Sequence, residues 1–336
     1  MPSLSAPCPI PFRIVACGQH LPSRVVTAEE IDDRLSVAPG WTERHTGVAR
    51  RHYVSTETSA QLGAAAIRDM IERLGASFTM PDLLIGASGT PQQPIPCNAA
   101  LIAAELGWHG VPCFDVNATC LSFVAALQVA SGLIAAGHVR RILIVCAEVA
   151  SKGLNWNQHE AAGLIGDGAA AVLIERDESG DSMLLNAIME TWPEGVALTE
   201  IRGGGSRMPA MEHRQGENTE DFLFHMDGPA VFRLAAEKMG LFVDRLVGAN
   251  ADRWSAIDWV IPHQASLPAI RHLRRRLGIP AAKLIETIQH QGNVIAASMP
   301  LALNEAIRSG RLQRGQTVLF LGTSAGFSLG GALLRF

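Results

Sequence analysis

The same order of strand-like segments occurs twice along this chain, and that repetition most limits the folds open to it. In the first half, residues 82–87 form a short apolar run. Residues 112–116 form a second, followed by a stretch at 121–136 with apolar residues at helical spacing. Residues 141–148 form a third run, and residues 169–175, after Gly166-Asp167-Gly168, a fourth. In the second half, 258–262, 283–287, 316–322 and 328–336 take the same places in the same order. A turn at Gly292 and a helix starting near Ala296 fill the matching slot. Strands alternating with helices make βαβ units, and continuous apolar runs mark strands covered on both faces. Any α/β protein alternates; the matched order of four elements is what indicates duplication. The expected halves are residues 1–177 and 178–336, with 178–220 largely connecting loop and one strand near 184–189. Gly228-Pro229 then opens an amphipathic helix over 230–246.

Composition narrows the function classes. Apolar residues make up 48 % of the 336 and charged residues 18 %, enough for a large core and contrary to disorder. A net charge of −4 gives no basic footprint for nucleic acid. No apolar stretch approaches the roughly 20 residues of a membrane span. Residues 1–11 are proline-rich without a long apolar core, and are expected to be a loose tail, not a secretory signal. Six scattered cysteines without a CxxC pair argue against a metal site and a disulfide scaffold. Cys17, Cys113 and Cys146 lie in or beside strand-like runs and are expected to be buried thiols. The expected compartment is the cytoplasm.

Three polar residues stand out against this background. Cys120 sits where the second apolar run gives way to a helix. A thiol at a helix start feels the positive end of the dipole, which lowers its pKa and favours the nucleophilic thiolate. The plainer alternative is a small buried apolar residue. His263, in Pro262-His263-Gln264-Ala265-Ser266, follows directly on a strand, where open α/β sheets place their sites; it is otherwise a loop histidine. Asn293 lies in the slot that Cys120 holds in the other half; alone it is a turn or cap residue. In a duplicated frame Cys120 and Asn293 face one pocket, with His263 at the neighbouring strand end. Residues 322–327 (Gly-Thr-Ser-Ala-Gly-Phe) are either a tight turn or a set of backbone N–H groups aimed at an oxyanion.

The chain resembles the β-ketoacyl-acyl-carrier-protein synthase III group of the thiolase superfamily over nearly its whole length, 14–336. The motifs are 41–48 (Trp-Thr-Glu-Arg-His-Thr-Gly-Val), 114–123, Gly166-Asp167-Gly168-Ala169, Pro262-His263-Gln264-Ala265, Gly292-Asn293 with Ala296-Ala297-Ser298, and the ending from Gly326-Phe327 to Arg335-Phe336. The resemblance implies a thiolase-like fold of five layers, α-β-α-β-α. It implies that Cys120 attacks an acyl thioester and takes its acyl group. His263 and Asn293 would then bind the carbonyl of a malonyl thioester and stabilise the enolate left by carbon dioxide. The N–H groups of Cys120 and Ala325 would form the oxyanion hole. Substrates would be coenzyme A or phosphopantetheine thioesters, with no bound cofactor and no metal. Partners would be acyl-coenzyme A, an acyl carrier protein and a malonyl thioester. The protein would be a homodimer, with Ile95 reaching the partner's acyl pocket.

The departures from the family pattern fall at donor-binding positions. Trp41 is kept, but His45 and Lys152 stand where the family carries arginine. Ser266 replaces an asparagine, Pro268 a basic residue, and Pro229 an asparagine. Losing a guanidinium loses a bidentate phosphate fork. The expectation is a specialised relative with a longer or unusual acyl donor, or a carrier protein as donor. Competing readings keep acyl-Cys120 but pass the group to an amine, an alcohol or a β-keto thioester without decarboxylation, or make the chain a non-catalytic ketosynthase partner. A papain-like protease fits the Cys120–His263 spacing but lacks the motif around the cysteine. Glu148 and Glu160 are candidate bases for a non-decarboxylating route, with solvated carboxylates as the plainer reading. Trp156 and Phe224 are pocket candidates against a default of core packing.

Overall fold

The computed structural model describes residues 9–250 and 252–336; Cys8 and most of the expected N-terminal tail lie outside them. Nine strands form one sheet: β1 (Ile10–His20), β2 (Leu83–Gly86), β3 (Cys113–Asp115), β4 (Arg141–Glu148), β5 (Gly168–Arg176), β6 (Met183–Thr191), β7 (Trp259–Pro262), β8 (Thr317–Ser324) and β9 (Ser328–Arg335). Their order is β7-β8-β9-β6-β1-β5-β4-β2-β3. Ile10 and Pro11, expected in the tail, pair with Leu184 and Met183 and join the two halves of the sheet.

The halves have one topology. Outward from β1, pairing runs antiparallel to β5, antiparallel to β4, parallel to β2 and parallel to β3. Outward from β6 it runs antiparallel to β9, antiparallel to β8 and parallel to β7, and ends in a parallel bridge from Val260 to Leu284. The expected strand at 283–287 is thus only a bridge. Its far end is taken by the Gln264 side chain, whose Oε1 accepts from Thr287 N at 2.9 Å. The strand expected near 184–189 is longer and central, the counterpart of β1, and not an interlude within a loop. The turn joining the halves is held by Asp177, whose carboxylate accepts from Ser182 N at 2.8 Å.

Six helices cover the sheet: α1 (Ser59–Leu74), α2 (Asn98–Leu106), α3 (Ser122–Ala135), α4 (Gly228–Val247), α5 (Leu267–Leu277) and α6 (Ser298–Arg308). Strand alternation sorts them into layers. Leu143, Val145 and Ala147 of β4 pack with α1 and α2 on one outer face. Ile142, Ile144 and Cys146 point the other way, into a core shared with α3, α6 and Phe320 of β8. Leu319 and Leu321 of β8 pack outward against α4 and α5. The result is five layers, α-β-α-β-α, with α3 and α6 in the middle. Each strand of the inner layers is apolar at nearly every position because it is covered on both faces. Cys17 and Cys146 are buried as expected, but Cys113 is only half-buried, because β3 is the outermost strand. Among the described residues, no helix is long and apolar enough to cross a membrane.

Candidate active site

The two middle helices begin in the same way. Asn117 Oδ1 accepts from Thr119 N, and Asn293 Oδ1 from Ile295 N, both at 2.9 Å. Ser122 Oγ accepts from Ala118 N at 2.9 Å, and Ser298 Oγ from Val294 N at 3.0 Å. Thr119 (φ 49°) and Ile295 (φ 45°) are both left-handed, a costly conformation for β-branched residues that the asparagine bonds help to hold. The geometry shifts the expected match: the counterpart of Cys120 is Ala296, and that of Asn293 is Asn117. The recurring pattern Asn-(four residues)-Ser at 117–122 and 293–298 is the sequence signal for this register. The two starts touch one another at the centre of the molecule.

His263 follows β7, its N–H bonded to Leu321 O at 2.8 Å. Gln264, fully buried, locks that strand end through Pro262 O at 2.7 Å as well as Thr287 N. His263 is buried, and burial alone pulls its pKa down to about 4, so the ring is neutral at pH 7. Its Nδ1 is buried without a partner, which leaves Nε2 as the nitrogen for a ligand. With Oδ1 engaged by Ile295, the Asn293 amide turns its Nδ2 donor toward Ala265 O, a long contact of 3.4 Å that a better acceptor can displace. Gly322 is required beside the histidine, since a Cβ there would come within 2.7 Å of His263 Cβ.

Cys120 behaves differently from its expectation. Its thiol is pushed up to about 12, first by burial and then by the Glu148 carboxylate, against the N–H groups of Ala325 and Cys120 that favour the thiolate. Its side chain is nonetheless only half-buried and lies on the cavity wall. The same two N–H groups are the expected oxyanion donors, and they lie against the sulfur. Ser324 fixes that turn by donating to Ala118 O at 2.7 Å and by a hydroxyl contact with Thr119.

Cys120, His263, Asn293 and Ala325 line one cavity of about 1150 Å³, which extends between α4 and α5. Of the donor-binding candidates, His45 and Ser266 line it, as do Pro229 and Pro268. His45 stacks on Trp41 at 4.2 Å, so Trp41 backs the wall instead of forming it. Ser266 already accepts from Ala269 N at 3.2 Å as the cap of α5. Lys152 is exposed and not part of the lining, although neighbouring Gly153 is. Asp167 holds that turn, accepting from Ser151 N and Val54 N at 2.9 Å. Ile95 is 83 % exposed and away from this cavity. Phe224 lines the cavity, while Trp156 packs beneath the Arg34 guanidinium at 3.4 Å. Glu160 is exposed and lines the cavity, whereas Glu148 is fully buried and not the solvated carboxylate expected. The exposed Arg233 and Arg276, and His272, also line the cavity. Their place depends on how α4 and α5 meet, which no local motif announces.

A duplicated five-layered fold, with a cysteine at one central helix start and an asparagine at the other, defines an acyl-condensing enzyme of the thiolase superfamily. Residues 114–192 match the family described as 3-oxoacyl-[acyl-carrier-protein (ACP)] synthase III, and residues 249–336 match its C-terminal counterpart. The β-ketoacyl-[acyl-carrier-protein] synthase III of Methylococcus capsulatus is 34 % identical over 330 residues, spanning 96 % of this chain and 98 % of that protein. The crystal structure of the 3-oxoacyl-[acyl-carrier-protein] synthase III from Aquifex aeolicus superposes with a TM-score of 0.85 at 29 % identity, covering 97 % of this chain and all of the other. The priming β-ketosynthase of the R1128 polyketide pathway superposes equally well, 0.85 at 26 % identity and 99 % of each chain. The chain belongs to the β-ketoacyl-[acyl-carrier-protein] synthase III family and is an acyltransferase of that kind.

Proposed function

We propose that this enzyme transfers an acyl group from a thioester to Cys120 and condenses it with a malonyl thioester, releasing carbon dioxide and a β-ketoacyl product. One observation carries the reading: Cys120, a neutral His263 and an Asn293 with an oriented amide line the same cavity. In the first step the sulfur attacks the thioester carbonyl and its proton passes to the His263 ring. The N–H groups of Cys120 and Ala325 donate to the oxyanion, and collapse expels the carrier thiolate, which takes the proton back. In the second step the malonyl C–C bond breaks and carbon dioxide leaves. The enolate oxygen is held by Asn293 Nδ2–H and by His263 Nε2–H, the neutral ring having exchanged to its Nε2–H tautomer between the steps; the enolate carbon attacks the acyl-Cys120 carbonyl and releases the Cys120 thiolate, which takes a proton from solvent. Two donors on a developing enolate each supply a few kcal/mol. The chemistry calls for thioesters of coenzyme A or phosphopantetheine and for no bound cofactor.

The donor side supports a specialised role. His45, Pro229, Ser266 and Pro268 line the cavity where the family carries an arginine, two asparagines and a basic residue, so the phosphate fork at position 45 is missing, while Arg233 and Arg276 stand elsewhere on the lining. An acyl group other than acetyl, delivered by coenzyme A or a carrier protein, fits this surface. The working form is a homodimer in the cytoplasm; five described cysteines, all free, suit a reducing compartment.

The test is a panel of acyl thioesters differing in length and carrier, scored by the mass added to Cys120 and by carbon dioxide released from a malonyl thioester. Both signals are expected. Asn293→Ala should keep the acyl-Cys120 mass and lose carbon dioxide release by about 100-fold or more, whereas His263→Ala should slow the acylation of Cys120 as well as abolish carbon dioxide release. Acyl-Cys120 with no carbon dioxide would replace this reading with non-decarboxylating transfer. No added mass from any donor would leave a scaffold subunit.

A further inference from the structure

Asn117 and Asn293 are suspended in different ways. The chain reaches Asn117 along β3, and Val116 N, one residue before it, still bonds to Gly86 O of β2 at 2.7 Å. The second half has no such support. After the bridge at Leu284 its chain leaves the sheet through a short helical turn, Ile288–Gln291. Asn293 then hangs from the first half: its N–H bonds to Leu164 O at 2.8 Å, and its O accepts from Gly166 N at 3.0 Å. Leu164 ends the short helix His159–Leu164, and the final carbonyls of any helix need partners from outside it.

Arg51 supplies the other partner. Its guanidinium Nη2 donates to Gly163 O, so consecutive carbonyls of this helix end are taken by Arg51 and by Asn293. A cation is favoured at a helix C-terminus. Arg51 is fully buried, and its Nε and Nη1 have no partner among the described residues. A guanidinium stays protonated in an interior and is costly to dehydrate, so an apolar side chain would fill the same space at lower cost. What an apolar side chain lacks is the donor to Gly163 O. The stem of Arg51 is wedged between the two segments: a Cβ on Gly166 would come within 3.3 Å of Arg51 Cβ, and one on Gly292 within 3.2 Å. The neighbours of Arg51 tie down the same segments, with Ala49 N bonded to Gln289 O at 2.9 Å and Asp167 N to His52 O at 2.8 Å. Leu164 and Ile165 themselves line the cavity beside Asn293.

We propose that Arg51 is a positioning residue for Asn293: its buried guanidinium fixes the end of the 159–164 helix, and that end, in place of a strand, holds the turn from which the Asn293 amide enters the cavity. This rests on Asn293 as an enolate donor in the condensation step. Cys120 is carried by the sheet of its own half, so loss of Arg51 strikes decarboxylation and spares acyl transfer.

The experiment compares Arg51→Met and Arg51→Lys with the wild type in three readouts. These are amide hydrogen exchange, single-turnover acylation of Cys120 by octanoyl-coenzyme A, and carbon dioxide release from a malonyl-loaded carrier protein. Arg51→Met fills the space without a donor. In it the peptides holding Gly166 and Asn293 should exchange about tenfold faster, while the peptide holding Asn117 and Cys120 keeps its wild-type rate. Acylation should stay within about twofold, and carbon dioxide release should fall about tenfold or more, since a displaced donor forfeits the aligned geometry. Arg51→Lys keeps the charge and one donor on a shorter stem, and should recover part of both losses. Acylation and carbon dioxide release slowed equally would show a merely structural role and overturn the proposal, as would unchanged exchange at Asn293. Should Arg51→Met not fold, Arg51→Lys decides by the same comparison, because its shorter reach should still quicken exchange at Asn293 and not at Asn117. A wild-type enzyme that releases no carbon dioxide would sink the condensation reading, whereas exchange at Asn293 tests its tie to Arg51 either way.

Discussion

His263 and Glu148 are both buried without a counter-charge, and their effects on stability run in opposite directions over nearly the same pH window. The folded protein holds His263 neutral down to about pH 4, whereas an unfolded chain protonates it near 6.5. Acid therefore favours the unfolded state between those values, and the contribution of His263 is lost as pH falls from 6.5 to 4. Glu148 titrates near 7 in the folded protein and near 4.5 when unfolded, so the folded state holds the extra proton. Its contribution is present below 4.5 and is lost as pH rises through 7. Each shift corresponds to roughly 3 kcal/mol at its limit. The pair should largely cancel in the wild type. In denaturant titrations from pH 4 to 7.5, Glu148→Gln should lose more stability on acidification than the wild type, and His263→Ala should lose less. Equal slopes for all three proteins would mean that burial does not set these pKa values. Neither shift is legible in the sequence. The place after a strand marks His263, but Glu148 reads as a strand-end residue in water. Its burial arises from the loop at 88–90, whose donors come from 58 and 59 positions away.

The helix start, used twice, is the element on which the site is built. Each copy is an asparagine, a left-handed residue and a serine that accepts from the backbone four residues earlier, and the residue between them differs, Cys120 in one and Ala296 in the other. The two asparagines are placed differently. Asn117 holds only the backbone that presents Cys120, whereas Asn293 both holds its own turn and lines the cavity. Asn117→Ala should cost about 1 kcal/mol of stability, as the loss of one hydrogen bond does, and slow acylation of Cys120. Asn293→Ala should leave acylation in place and remove carbon dioxide release. Single-turnover acylation alongside a carbon dioxide assay separates the two; acylation slowed equally in both variants would contradict the division. The strands flanking these starts are readable because strands buried on both faces are apolar at nearly every position. The full extent of β6 is not, since its residues include Asn186 and Glu190, and Asn186 donates its amide to Leu246 O at 2.8 Å. The register of the two starts is hidden as well. The visible turn at Gly292 suggests an alignment three residues from the one the hydrogen bonds define.

At the scale of the whole molecule, the sheet ends in a strand that invites a partner. β3 is the outermost strand, and its Phe114 is 38 % exposed; Ile95, on the segment leading into α2, is 83 % exposed. An open edge with apolar residues beside it is a liability for a protein that stays monomeric. A second copy covering this edge removes the liability, and the particle mass should be twice the 35.9 kDa of one chain by sedimentation. The placement of Ile95 allows a sharper test, because its side chain does not line the cavity of its own chain. If it shapes a pocket, the pocket belongs to the partner. Ile95→Trp should then shift the preferred acyl length of the homodimer toward shorter chains. In a heterodimer of a Cys120→Ala chain with an Ile95→Trp chain, the one live sulfur sits on the chain that carries the tryptophan and meets a normal Ile95 from its partner. That heterodimer should acylate with the wild-type length preference. The double variant Cys120→Ala/Ile95→Trp paired with a wild-type chain should show the shifted preference instead, because its live sulfur then faces the tryptophan. A shifted preference in the first pairing and a normal one in the second would place Ile95 in cis, and a single-chain mass in sedimentation would remove the partner altogether.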